Sequence, residues 1–127
     1  MENFDKRAID ARLAEGFPFT HRWHNRFHLE MPFGLINDPN GLIVDSGTYH
    51  AFFQYTPEHP RKLVYWGHAR STDLVHWTYL PPAILPDSRQ DRNGAYSGTA
   101  IGTDDGVELW YTGNYKDAET GEREATQ

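Results

Sequence analysis

The densest cluster of chemistry-bearing residues in the chain is Asn37-Asp38-Pro39-Asn40-Gly41. Two readings fit it. Asp at the first position, Pro at the second and Gly at the fourth compose a type I turn whose carboxylate caps the backbone. The same proline pushes Asp38 toward extended backbone, which fixes its side chain at a strand entrance with the Asn37 amide beside it. A carboxylate held that way can serve as a nucleophile or as a base. In a glycoside-cleaving site of the retaining type it would need a second, protonated carboxyl about 5–5.5 Å away. No neighbouring residue identifies that second group. Gln54 ends a run of large side chains with a polar amide. It is either a strand end facing water or a donor–acceptor pair for sugar hydroxyls in an aromatic-lined cleft.

Other polar residues carry weaker signals. His21, His24 and His28 would share one face of a helix, but Phe17, Pro18 and Pro32 flank a segment that reads as extended. Without cysteine or a paired carboxylate at ligand spacing, no metal is expected there. His50, His68 and His76 recur on β-segments and are expected to satisfy internal hydrogen bonds. Asp73, Asp87, Asp91, Asp104 and Asp105 sit beside turn residues and read as turn caps. The chain has no Gly-rich phosphate loop and no G-x-S-x-G elbow.

The elements that must position these residues are short. Phe4, Ala8, Ile9 and Leu13 fall near one face of a helix that Gly16 and Pro18 end, giving a leader segment over residues 1–22 that packs on the outside of something else. From residue 23 the pattern turns to strands. Residues 42–45 and 48–55 flank the turn Ser46-Gly47, and residues 63–70 and 75–80 follow. Pro81, Pro82 and Pro86 are expected to break the chain, after which residues 97–101 and 107–111 form a hairpin around Asp104-Asp105-Gly106. Most of the aromatics in these strands are expected to be core. Four short strands, a Pro-rich crossing and a second set give the cadence of a β-propeller. The chain supplies one blade and about half of a second, and the polar run over residues 117–127 offers no closing strand. Residues 23–127 are therefore expected to be the N-terminal part of a larger propeller domain.

Composition narrows the partners. Hydrophobic residues make up 38% and aromatics 14% of 127 residues, too ring-rich for a disordered tail. Twelve Lys and Arg against eighteen Asp and Glu give a net charge of −6, which disfavours nucleic acid. No apolar run approaches the roughly 18 residues a membrane helix needs. No secretory signal pattern opens the chain, so a cytoplasmic location is expected.

Taken together, these residues resemble the N-terminal part of glycoside hydrolase family 32, which includes invertases, sucrose-6-phosphate hydrolases, inulinases and levanases. The resemblance runs over residues 26–115. Six blocks in order carry it: Asn37-Asp38-Pro39-Asn40-Gly41, residues 49–55 (YHAFFQY), Trp66-Gly67-His68-Ala69, Asp73-Leu74-Val75-His76-Trp77, Tyr96-Ser97-Gly98-Thr99 and Tyr111-Thr112-Gly113-Asn114. It implies an all-β fold, a five-bladed β-propeller of which this chain holds the first blade and about half of the second. It also implies Asp38 as the nucleophile that attacks a fructosyl unit. Asn37, Gln54, Tyr96 and Ser97 match positions that contact the sugar, and Trp66 belongs to a block that lines the cleft. The family's acid/base Glu and its transition-state-stabilising Asp lie in an Arg-Asp-Pro and a Glu-Cys motif that do not occur here. Two departures stand out. Leu35-Ile36 replaces the usual Trp-Met, and the Arg61-Lys62 region replaces a pocket tryptophan, which suggests a phosphorylated or charged substrate. The resemblance implies a retaining β-fructosidase acting on sucrose, sucrose 6-phosphate or a related fructoside, without metal or cofactor. A non-catalytic fructoside-binding chain and a fructosyltransferase are the alternatives.

Overall fold

The computed structural model describes residues 6–16, 23, 25 and 27–126. One helix, α1 (Lys6–Glu15), precedes seven strands: β1 (Leu35–Asp45), β2 (Thr48–Thr56), β3 (Tyr65–Ser71), β4 (Thr78–Ile84), β5 (Ala95–Thr103), β6 (Gly106–Lys116) and β7 (Arg123–Thr126). The strands form two antiparallel sheets, in the orders β1-β2-β3-β4 and β5-β6-β7. Apart from one short helix the fold is all-β.

Local chemistry explains most of the boundaries. α1 stops where Gly16 takes φ 66° and its N–H bonds the Leu13 carbonyl at 3.1 Å, a left-handed C-terminal cap. Ile9 is buried and Leu13 half-buried, whereas Ala8, expected on the apolar face, is exposed. Phe4 and Pro18 lie outside the described residues. The β1–β2 hairpin closes through Ser46-Gly47, both at positive φ, as a two-residue turn matching strand twist requires.

Three expectations fail, each for a physical reason. Residues 37–41 are not a turn but part of β1, which stays extended through them by taking up bulges. Pro81 and Pro82 do not break the chain. They lie inside β4, where a register irregularity and the sheet's edge position spare them the ladder bonds they cannot donate. The polar run after residue 116 holds a third strand of the second sheet. There Asp117 accepts from Glu119 N at 2.8 Å and Thr120 N at 2.7 Å, folding a turn that returns β7 onto β6. Those backbone donors pull the Asp117 carboxyl down to about 2.

Alternation along β2 divides the core in two. Phe53 and Tyr55 point to the outer face, where they pack with Tyr65, Ala69 and Ile9 under the segment that enters β1. The Tyr55 hydroxyl donates to the Phe33 carbonyl at 3.1 Å, and the Arg12 guanidinium lies 3.7 Å from the Phe33 ring centre. Phe52 points to the inner face and meets Trp66 and Ala95, with Ala100, Leu109 and Tyr111 contributed by the second sheet. Burying a side chain such as Phe52 contributes about 1.5–3 kcal/mol. His50 and His68 extend this inner face, with His50 Nδ1 and His68 Nε2 2.8 Å apart and the His68 ring stacked on Phe52 at 4.3 Å.

Two outcomes follow. A methyl group on Gly98 would fall 1.9 Å from the Trp110 carbonyl oxygen, a backbone atom that cannot swing away. Gly98→Ala should therefore destabilise the chain by about 1–3 kcal/mol or more, whereas Gly102→Ala, which meets only Ile43 at 3.7 Å, should melt within a degree or so of the parent. Equal melting temperatures for the two variants would contradict the packing described. Burial, then His50, then Arg70 lower the His68 pKa from 6.5 to about 4. The unfolded chain thus binds a proton near pH 6.5 that the folded chain refuses until about pH 4. The stability from neutral His68 is complete above pH 6.5 and is lost as pH falls toward 4. Denaturation of His68→Gln across that window should show a shallower loss than the parent, and parallel curves would refute the assignment.

Candidate active site

Two β-bulges build the site. In β1, Asn37 and Asp38 fall between the pairs Ile36↔Tyr55 and Pro39↔Phe53, so two residues stand opposite Gln54 alone. In β5, Ser97 falls between Tyr96↔Thr112 and Gly98↔Tyr111 and has no ladder partner. A bulge bends its strand and re-aims the extra side chain. Here the two bulges aim at each other. The Ser97 hydroxyl donates to Asp38 Oδ2 at 3.1 Å and accepts from Gln54 Nε2 at 2.9 Å. One hydroxyl thus joins β1, β2 and β5, with all three side chains reached by solvent.

The electrostatics of this cluster suit a nucleophile. The Ser97 hydroxyl engages one Asp38 oxygen and so orients the carboxyl group. Among the described residues nothing donates to Oδ1, and a carboxylate oxygen without a donor is one that can act as a nucleophile or a base. The Gln54 amide keeps its carbonyl and a second N–H for hydroxyl groups.

The remaining expected site residues divide. Tyr96 is 38% exposed and directly precedes the bulged residue Ser97. Asn37 is exposed but makes no side-chain hydrogen bond to the cluster, and borders instead an apolar hollow of about 570 Å³ with Ile36, Val44, Phe53 and Trp77. Trp66 requires a correction. It is fully buried, so it offers no ring to a ligand. It pairs with Gln54 across β2 and β3 on the inner face, covered by the second sheet, and its indole N–H donates to the Tyr96 carbonyl at 2.9 Å. It stands behind the site and positions the strand that carries Ser97.

Asn40 was missed. Buried to 4% exposure, it accepts from Gly98 N through Oδ1 at 3.4 Å and so ties β1 to the residue after the β5 bulge. Its only sequence signal was membership of a motif whose composition also suits a turn. The turn-cap reading holds for Asp73, which accepts from Val75 N at 2.9 Å and His76 N at 2.8 Å. The His76 ring, then those amides, hold its carboxyl below the usual carboxylate range. In the loop after β2 the exposed Arg61 guanidinium is engaged by Glu58 at 3.0 Å, and Lys62 beside it is exposed as well. His21 and His24 lie outside the described residues, and His28 is exposed. Among the described residues no three His, Asp or Glu gather as a metal site, and no helix is long and apolar enough to cross a membrane.

Comparison with known proteins follows the same residues. Residues 28–127 match the glycosyl hydrolases family 32 N-terminal domain. The sucrose-6-phosphate hydrolase of Salmonella typhimurium is 47% identical over 119 residues, 90% of this chain and 25% of that protein. The solved sucrose-6-phosphate hydrolase of Lactobacillus gasseri superposes with a TM-score of 0.76 at 38% identity, covering 97% of this chain and 25% of its own. The GH32 β-fructofuranosidase of Bombyx mori superposes with a TM-score of 0.81 at 30% identity, covering 96% and 26%. The chain spans between 19% and 25% of the length of the curated relatives it matches. By sequence match over 100 residues and by superposition of both sheets, the chain belongs to glycoside hydrolase family 32.

Proposed function

We propose that these residues supply the nucleophile and part of the fructosyl-binding surface of a retaining β-fructosidase. The observation that carries this reading is the Ser97 hydroxyl linking Asp38 and Gln54, three residues far apart in sequence that the family resemblance singles out together. In the proposed reaction the Asp38 carboxylate bonds to the anomeric carbon of a fructosyl unit while the glycosidic C–O bond breaks. A carboxylic acid outside these 127 residues protonates the leaving oxygen. Water then attacks the same carbon, that acid takes the water's proton back, and fructose leaves with Asp38 restored. The two sheets are consecutive blades of a five-bladed ring, with Asp38 and Ser97 on its innermost strands, β1 and β5.

Ser97 and Gln54 work through orientation. Holding the carboxylate and a hydroxyl of the sugar together keeps the reacting atoms within about 3–3.5 Å, where proximity lowers the barrier most. Tyr96 and Asn37 lie at the edges of this surface. The substrate class we favour is sucrose 6-phosphate, supported by the Salmonella and Lactobacillus relatives and by an exposed cation, Lys62, in the loop after β2.

In the longest polypeptide containing these residues, Asp38→Asn keeps the side chain's volume and removes its charge. It should lower turnover of the fructoside on the order of 10⁴-fold. Near-normal turnover would remove Asp38 from the role. Lys62→Ala should raise KM for sucrose 6-phosphate about tenfold through one lost charged contact. KM for sucrose should not change, and an equal shift for both sugars would argue against phosphate recognition there.

A further inference from the structure

Asp91 reads from sequence as a turn cap, and it does cap, accepting from Ser88 N at 2.8 Å and from the Ser88 hydroxyl at 2.7 Å. A turn cap needs no burial, yet Asp91 is 1% exposed. Among the described residues no cation pairs with it. Its second oxygen accepts from the Tyr111 hydroxyl at 2.7 Å. Burying a carboxylate is costly unless its oxygens are hydrogen-bonded, so Asp91 holds Tyr111 tightly. Burial, then Asp91, push the Tyr111 hydroxyl up to about 12, which keeps it a donor.

Tyr111 leads back to the site. It is the register partner of Gly98, the residue after the bulge. Its ring meets the Trp66 indole edge-on, with centroids 6.3 Å apart and planes at 64°. Trp66 in turn holds the Tyr96 carbonyl, the residue before the bulge. Ser97 itself has no ladder bond, so its position depends on the fixing of its two neighbours. Phe52 supports Trp66 from the sheet side, and Tyr111 from the side of the second sheet.

We infer that Asp91 and Tyr111 are positioning residues: through Trp66 they set the β5 bulge so that the Ser97 hydroxyl bridges Gln54 and Asp38. The consequence for catalysis rests on the proposed role of Asp38, whereas the geometric consequence does not. Tyr111→Phe keeps the ring and removes only the hydroxyl. In the full 127-residue chain it should shift the Gln54 side-chain amide resonance in the direction that Ser97→Ala shifts it. Tyr115→Phe loses a comparable hydroxyl bond, to Asp117 at 3.2 Å, and should leave that resonance in place. An unmoved Gln54 amide in Tyr111→Phe would overturn the inference. Asp91→Asn gives the same comparison should Tyr111→Phe not fold.

Kinetics add a second arm in the longest polypeptide containing these residues. Tyr111→Phe should lower kcat about tenfold with KM within about twofold, and Tyr111→Phe with Ser97→Ala together should be no worse than Ser97→Ala alone. Losses that multiply would mean that Tyr111 acts on stability and not through Ser97. Absence of fructosidase activity in the parent would refute the proposed function, and the amide resonance would still decide this inference.

Discussion

Trp66 is the joint between the two sheets. Its ring is enclosed by Phe52 from its own sheet and Tyr111 from the next, and its single polar atom is satisfied by the Tyr96 carbonyl. A buried indole N–H without an acceptor would cost about 1–3 kcal/mol, so the bond also selects one relative placement of the sheets. Everything at the exposed end depends on that placement. Gln54 is the cross-strand partner of Trp66, and Ser97 follows Tyr96 in the chain. Fixing one indole therefore brings an amide of one sheet to a hydroxyl of the other, and that hydroxyl to the Asp38 carboxylate.

The site is made where regular pairing is interrupted. A regular ladder would alternate Asn37 and Asp38 between faces and leave Ser97 to a face set by strand parity. Bulges suspend that parity at two places, and Asn40 and Gly98 stitch the interruptions together. Gly98 is required because the second bulge brings the β6 backbone to 1.9 Å from where its Cβ would be. The exposed cluster thus stands on a base of buried rings and short backbone contacts, which fixes its side chains relative to one another.

Charge is distributed to the same end. The chain is acidic overall, yet the buried carboxylate of Asp91 is satisfied by three hydrogen bonds, with no cation paired to it among the described residues. Asp73 and Asp117 spend their oxygens on backbone amides of exposed turns. Asp38 differs from all three, since one of its oxygens accepts from Ser97 and no donor among the described residues reaches the other.

Much was legible in the residues alone. Strand existence, the Ser46-Gly47 turn and the Gly16 helix end follow from local steric rules that act within a few residues, and the six ordered motifs pointed to the family. Asp38, Gln54 and Ser97 could be singled out but not joined, because nothing in their separations of 16 and 43 residues says they touch. The turn composition of residues 37–41 and the prolines of β4 misled for one reason: pairing with neighbouring strands overrides local preference, and bulges and edges absorb the mismatch. Burial was equally hidden. Whether Trp66 faces a ligand or a second sheet, and whether Asp91 merely caps a turn or also holds Tyr111, depends on what packs over them. That packing is a property of surfaces meeting across the fold, which no short stretch of sequence contains.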